Sequence, residues 1–154
     1  MKWNDLDKES CPIARGLSVI GDRWTLLILR DLFFGLRRFD ELQASLGITR
    51  HLLADRLKKL EADGVLARRP YQTRPPRHEY RLTDAGKELA PVLLSIWKWS
   101  ETHVASDQPS PIAFALRDTG VPLDPVLVQN GSSEPLQPRN IQPIRLTKGK
   151  PKGP

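Results

Sequence analysis

Thr49, Arg50 and His51 open a stretch whose residue types and spacing could do chemistry. Behind them Leu53, Leu57 and Leu60 recur at helical spacing, so one side of a helix is built for burial. His51, Asp55 and Lys58 then fall on the opposite side, with Ala54 and Lys59 flanking. That outward face is polar and mostly cationic, the chemistry of a surface that hydrogen-bonds to base edges and phosphates. Arg50 suits a guanine edge or a phosphate. Asp55 suits a cytosine amino group, or orients Lys58 or Lys59. A second basic feature follows. Between Gln72 and Arg77 no side chain is apolar, and Arg74 and Arg77 stand on either side of Pro75-Pro76. Two arginines on a stiff loop suit phosphates or a minor groove. From Arg50 to Arg81 nine Lys/Arg face four Asp/Glu, so most of the chain's net charge of +6 lies there.

Other chemistries find few residues. Cys11 is the only cysteine, which excludes an intramolecular disulfide and a cysteine zinc site within one chain. His51, His78 and His103 sit in separate elements, at no catalytic or metal-binding spacing. No Gly-rich phosphate loop is present. An enzyme is not expected, nor a metal or other cofactor. Cys11 itself precedes a helix start at Pro12, where the helix dipole favours a thiolate, and Arg15 follows one turn later. It is either a redox sensor or a half-buried packing cysteine.

The elements that must position these residues can be read in order. Residues 1–10 are polar and read as frayed or as an arm. A helix begins at Pro12, carries Ile13, Leu17 and Ile20, and ends at Gly21. Asp22 caps a second helix, Arg23 to Phe34, so rich in large apolar residues that protein should nearly surround it. Leu36 to Phe39 is a short extended link, and Asp40 to Leu46 a two-turn helix. Gly47 turns the chain, Thr49 caps the helix described above, and Gly64 ends it. Val65–Arg69 and His78–Leu82 read as an antiparallel pair around the Gln72–Arg77 loop, whose prolines oppose regular pairing. Thr83 caps a five-turn helix to about His103, kinked at Pro91. Its apolar face, Leu89, Val92, Leu93, Ile96 and Trp97, exceeds what a small core can cover. With Ile13 and Leu17 it predicts a subunit interface. After Ser106 the composition changes, with nine of the fourteen prolines in residues 109–154. Strand-like runs at Ile112–Leu116 and Val126–Val128, with a turn at Asn130-Gly131, predict small β hairpins within 107–146. Residues 147–154 read as a disordered basic tail.

Several motifs carry a family resemblance: Cys11-Pro12-Ile13-Ala14-Arg15; Gly21-Asp22-Arg23-Trp24-Thr25-Leu26-Leu27; Arg38-Phe39-Asp40-Glu41-Leu42; Leu57-Lys58-Lys59-Leu60-Glu61; and Tyr71 to Thr83. In this order they resemble the HxlR family of bacterial transcription regulators, winged helix-turn-helix proteins similar to the MarR group. The resemblance covers about residues 10–103. It implies a mainly α fold with a small β wing, a homodimer held by its first and last helices, and a double-stranded operator DNA as partner. The DNA-binding set on that reading is Arg38, Thr49, Arg50, His51, Ala54, Asp55, Lys58, Arg74 and Arg77, over a 1–106 DNA-binding and dimerisation domain. Cys11 resembles a position that some members use to sense oxidants or electrophiles. Asp118-Thr119-Gly120 and Asn130-Gly131-Ser132-Ser133 resemble the knuckles of a C-terminal ribbon, here with no cysteine and so no zinc.

The competing reading is a winged-helix protein-interaction module that does not bind DNA specifically. It would need an uncharged or acidic outward helix face, against which the basic helix and wing count. The start of the chain lacks the apolar core of a signal peptide, and Leu26–Leu29 and Ala90–Leu94 are too short to span a bilayer. A cytoplasmic protein is expected, with no membrane partner.

Overall fold

The computed structural model describes residues 2–108, 110–142, 146–147 and 150–151. Contacts divide the chain into two units, Met1–Trp97 and Lys98–Pro154.

The first unit is mainly α with a two-stranded wing. Helices α1 (Pro12–Ile20), α2 (Arg23–Phe33), α3 (Phe39–Leu46) and α4 (Arg50–Ala62) precede strands β1 (Leu66–Thr73) and β2 (Pro76–Leu82). Then come α5 (Asp84–Lys87) and α6 (Ala90–His103), the latter running across the boundary between units. Ile28, Leu29 and Leu32 of α2 meet Leu42, Ile48, Leu53, Leu57, Leu60, Val65 and Leu66 in one buried cluster. The helical leucine spacing thus seats α4 on α2 and α3. Gly47, at φ 64°, makes the left-handed turn between α3 and α4, a conformation that costs any residue with a Cβ.

Several expectations need correction. The polar N-terminal residues are not frayed. Trp3–Lys8 forms a 3₁₀ helix that packs on α1 and buries Leu6. One aliphatic side chain in a polar stretch is enough to anchor it. Helix α2 is less enclosed than its composition suggests, because Leu27 is 36% exposed and Phe34, the residue that caps its end, 47%. The link before α3 is extended at Arg38 and gives up its last residue, Phe39, to the helix; the Tyr80 N–H donates to its Arg37 carbonyl at 2.8 Å.

The wing is longer than predicted. Strand pairing continues from Leu66↔Leu82 out to Thr73↔Pro76, with one register shift between Pro70 and Gln72. Both strands of a two-stranded sheet are edges, so a proline can turn its missing N–H outward. The five-turn helix is two helices. Thr83 Oγ1 accepts from the Gly86 N–H at 3.1 Å and donates to the Gly64 and Val65 carbonyls at 2.6 and 3.1 Å. That ties α5 to the base of the wing. Pro91 falls in the first turn of α6, where its absent N–H leaves no helical bond unmade. The proline therefore sets a helix start rather than a kink.

In the second unit the predicted hairpins reduce to two isolated bridges, Ala115↔Pro122 and Val128↔Pro135. A repeat underlies them that the sequence reading passed over. Pro122-Leu123-Asp124-Pro125 recurs as Pro135-Leu136-Gln137-Pro138. The Leu123 N–H donates to the Phe114 carbonyl at 2.8 Å, and the equivalent Leu136 N–H to Leu127 at 2.7 Å. Gly120 and Gly131 supply the positive-φ turns. Of the expected basic tail, Thr147 pairs with Lys150, and Leu146 with Pro151, as strands β3 (Leu146–Thr147) and β4 (Lys150–Pro151). The rest of that tail lies outside the described residues.

Candidate nucleic-acid interface

Helix α4 starts at Thr49, whose hydroxyl accepts from the Leu52 N–H at 3.3 Å. The cap fixes where the first turn begins, and so which residues look outward. Thr49, Arg50, His51, Ala54, Asp55 and Lys58 are all exposed, while Leu53, Leu57 and Leu60 are buried. His51 Nε2 stands 3.3 Å from an Asp55 oxygen, and Lys59 is paired with Asp63 at 2.7 Å. Asp55 thus orients the histidine rather than Lys58 or Lys59. Lys58 makes no ion pair among the described residues.

Arg50 is held. Its Nη1 donates to Asp40 Oδ1 at 2.9 Å and to Gln43 Oε1 at 3.1 Å, and its guanidinium lies 4.7 Å above the Phe39 ring. Arg56, which the sequence reading did not single out, pairs with Asp22 at 3.1 Å in a half-buried position. The other Asp22 oxygen caps α2 through the Trp24 N–H at 2.9 Å. One carboxylate therefore caps α2 and fastens α4 to it. Leucine periodicity reveals the buried face but not a cross-link of this kind, since Asp22 and Arg56 are far apart in the chain.

The wing adds its own cations. Arg74, Arg77, Arg68 and Arg69 are exposed and make no side-chain ion pair among the described residues. Arg38 lies 4.8 Å above the Tyr71 ring. A cleft of about 440 Å³ separates the wing from the start of α3, lined by Arg38, Phe39, Asp40, Glu41, Tyr71, Arg77 and His78. The Glu41 carboxylate accepts from the backbone N–H of Arg38 at 2.9 Å and of Arg37 at 3.0 Å. Those bonds, Arg38's first, hold its carboxyl below the usual range. Burial raises the Tyr80 hydroxyl above its ordinary value. The unit Met1–Trp97 thus holds α4, the Arg38 link and the wing, and also Cys11, at the start of α1.

Cys11 is exposed. Arg15 Nη1 donates to the Glu9 and Ser10 carbonyls at 3.0 and 2.7 Å, so it steadies the backbone before Cys11 and makes no hydrogen bond to the thiol. The apolar set divides. Leu89 and Leu93 pack against the core, Val92 and Trp97 are half-buried, and Ile13, Leu17 and Ile96 are 72%, 41% and 43% exposed. Among the described residues no group of three or more His, Cys, Asp or Glu could hold a metal, and no helix is long and apolar enough to cross a membrane.

A short helix, a glycine turn, a capped helix with an outward polar face and a basic β hairpin define a winged helix-turn-helix protein. Residues 19–108 match the family model described as HxlR-like helix-turn-helix, and the chain belongs to that family of transcriptional regulators. An HTH-type transcriptional regulator of Mycobacterium bovis is 40% identical over 131 residues, 85% of this chain and 83% of its own length. The crystal structure of PA1607, described as a transcription-factor candidate, has a TM-score of 0.81 at 40% identity, covering 90% of this chain and 97% of its own. The reduced form of the redox regulator HypR superposes with a TM-score of 0.56 at 35% identity, over 60% of this chain and 92% of its own.

Proposed function

We propose that the protein is a homodimeric regulator that binds a near-palindromic operator in double-stranded DNA through α4 and the wing. The carrying observation is the sorting of side chains on α4. Leu53, Leu57 and Leu60 are buried, while Thr49, Arg50, His51, Ala54, Asp55 and Lys58 are exposed in the same unit as the exposed wing arginines. In this reading α4 enters the major groove, Arg74 and Arg77 meet the backbone or minor groove, and Arg38 meets a phosphate. Residues 1–106 form the DNA-binding and dimerisation domain. Ile13, Leu17 and Ile96, too exposed for large aliphatic side chains without a partner, form the dimer interface with Val92, Trp97 and the outer sides of Leu89 and Leu93. A two-fold dimer would set the two α4 helices about 34 Å apart, one helical turn of DNA.

A footprint combined with a half-site mutation series tests the reading. Two half-sites one turn apart support it. A footprint without them, or alanines at Thr49–His51 that leave sequence preference unchanged, overturns it. Sedimentation should show a dimer, and a folded monomer at about 10 µM would remove that part. Cys11 serves as an oxidant or electrophile sensor in the same reading, supported by its exposure and by the likeness to a redox regulator. A mild oxidant should change operator affinity in the wild type and leave Cys11→Ser unaffected; an equal response in both returns Cys11 to no sensing role.

A further inference from the structure

We infer that Phe39, Asp40 and Gln43 are positioning residues that preset Arg50 as a bidentate reader of guanine. The inference rests on the DNA-binding reading and deepens it. Three contacts from α3 converge on one guanidinium: the Asp40 carboxylate, the Gln43 amide oxygen and the face of Phe39. Both hydrogen bonds come from Nη1. Among the described residues Nε and Nη2 make none, so one edge of the fork is held and the other is left open. That open edge carries two parallel N–H donors, the arrangement that matches guanine O6 and N7.

The cradle does not bury Arg50, whose side chain stays 68% exposed, and Asp40 is 83% exposed. An ion pair so open adds little to folding stability. What it does supply is orientation. A flexible arginine loses rotamer freedom when it docks, and a guanidinium already held from behind loses less. Asp40 has a second effect. Its charge opposes attraction to any phosphate, so it weakens indiscriminate binding while leaving the geometric contact intact.

The experiment uses the full-length chain and a duplex pool randomised over two helical turns, with bound sequences counted at equilibrium. Wild type should enrich a guanine at one symmetric position in each half-site. Arg50→Ala should lower that preference about tenfold, and Arg50→Lys should lower it as much, because an ammonium presents no fork. Asp40→Ala and Gln43→Ala should each lower it about threefold at the same position. Asp40→Ala should also raise affinity for the unselected pool. In the Arg50→Ala background neither change should move the preference further, which a merely structural role would not predict. Asp40→Glu should recover part of the loss. Thermal melts identify any variant that is simply unfolded, and Gln43→Ala, which also gives up the half-buried bond from the Gln43 amide to the Ile48 carbonyl at 3.4 Å, supplies a second variant if Asp40→Ala melts early. Preferences in Asp40→Ala and Gln43→Ala that match wild type, or that shift equally with and without Arg50, overturn the cradle while DNA binding stands. Failure of the wild type to enrich any sequence removes the DNA-binding reading itself, and the cradle with it.

Discussion

The two units of this chain are held together by different means. In Met1–Trp97, leucines, isoleucines and one valine from three helices, two turns and the first strand meet in one closed cluster. In Lys98–Pro154 no described residue is buried, and Leu116, Val121, Val126, Leu127 and Val128 are about half exposed or more. There the order comes from positive-φ glycines, prolines and a few repeated backbone bonds. Hydrophobic burial scales with apolar area removed from water, whereas turns chiefly limit the freedom of the unfolded chain. The first unit should therefore tolerate loss of the second, and single side chains should matter very unequally between them.

The sharpest test pairs two leucines. Leu57→Ala empties a fully enclosed site and should cost about 2–5 kcal/mol in denaturant unfolding, whereas Leu127→Ala, 66% exposed, should stay within about 0.5 kcal/mol. Comparable costs would erase the distinction between the units. Next comes Gly86, where an added Cβ would stand 2.3 Å from the Val65 carbonyl oxygen. Gly86→Ala must displace backbone at the root of the wing and should cost about 1–3 kcal/mol. Its effect on DNA affinity should exceed its effect on α4 helicity.

Smaller again is the wing. Arg74→Ala with Arg77→Ala should leave the melting temperature unchanged and flatten the salt dependence of binding to every sequence, by about one unit of slope per lost phosphate contact. An unchanged slope would mean that the wing does not touch the backbone. A chain ending at Ser106 should keep the thermal transition of the first unit within a few degrees; a large drop would show that the second unit stabilises the first.

The smallest expected effect is Glu41. Its folded carboxyl is held below the usual range by the Arg38 and then the Arg37 backbone N–H. A depressed folded pKa contributes stability above the unfolded value and loses it as pH falls through the folded one. Glu41→Gln should therefore lower neutral stability slightly, flatten the acid limb of the melting profile by the same small amount, and leave stability at the acid end unchanged. An identical acid limb in both proteins would show that the α3 cap carries no proton linkage.

Much of the first unit was legible because local physics and tertiary need agree there. Leu53, Leu57 and Leu60 at helical spacing, Gly47 at the turn, and Thr49 and Asp22 as caps each state a local preference that the fold also uses. The outward face of α4 followed by subtraction. Even the repeated Pro-Leu-x-Pro of the second unit was present in the letters, overlooked because irregular turns lack the periodicity that marks helices and strands.

Other features depended on residues distant in the chain. No local signal says that Arg50 rests on Phe39, Asp40 and Gln43, that Arg56 fastens α4 to the α2 cap, or that Thr83 grips the carbonyls of Gly64 and Val65. Nor does proline chemistry alone tell a kink from a helix start; in the fold Pro91 falls in the first turn of α6. A sequence states which side chains want water and which backbone angles are cheap. Which charged groups meet is set by the packing of the apolar ones, and that is known only once the elements have been brought together.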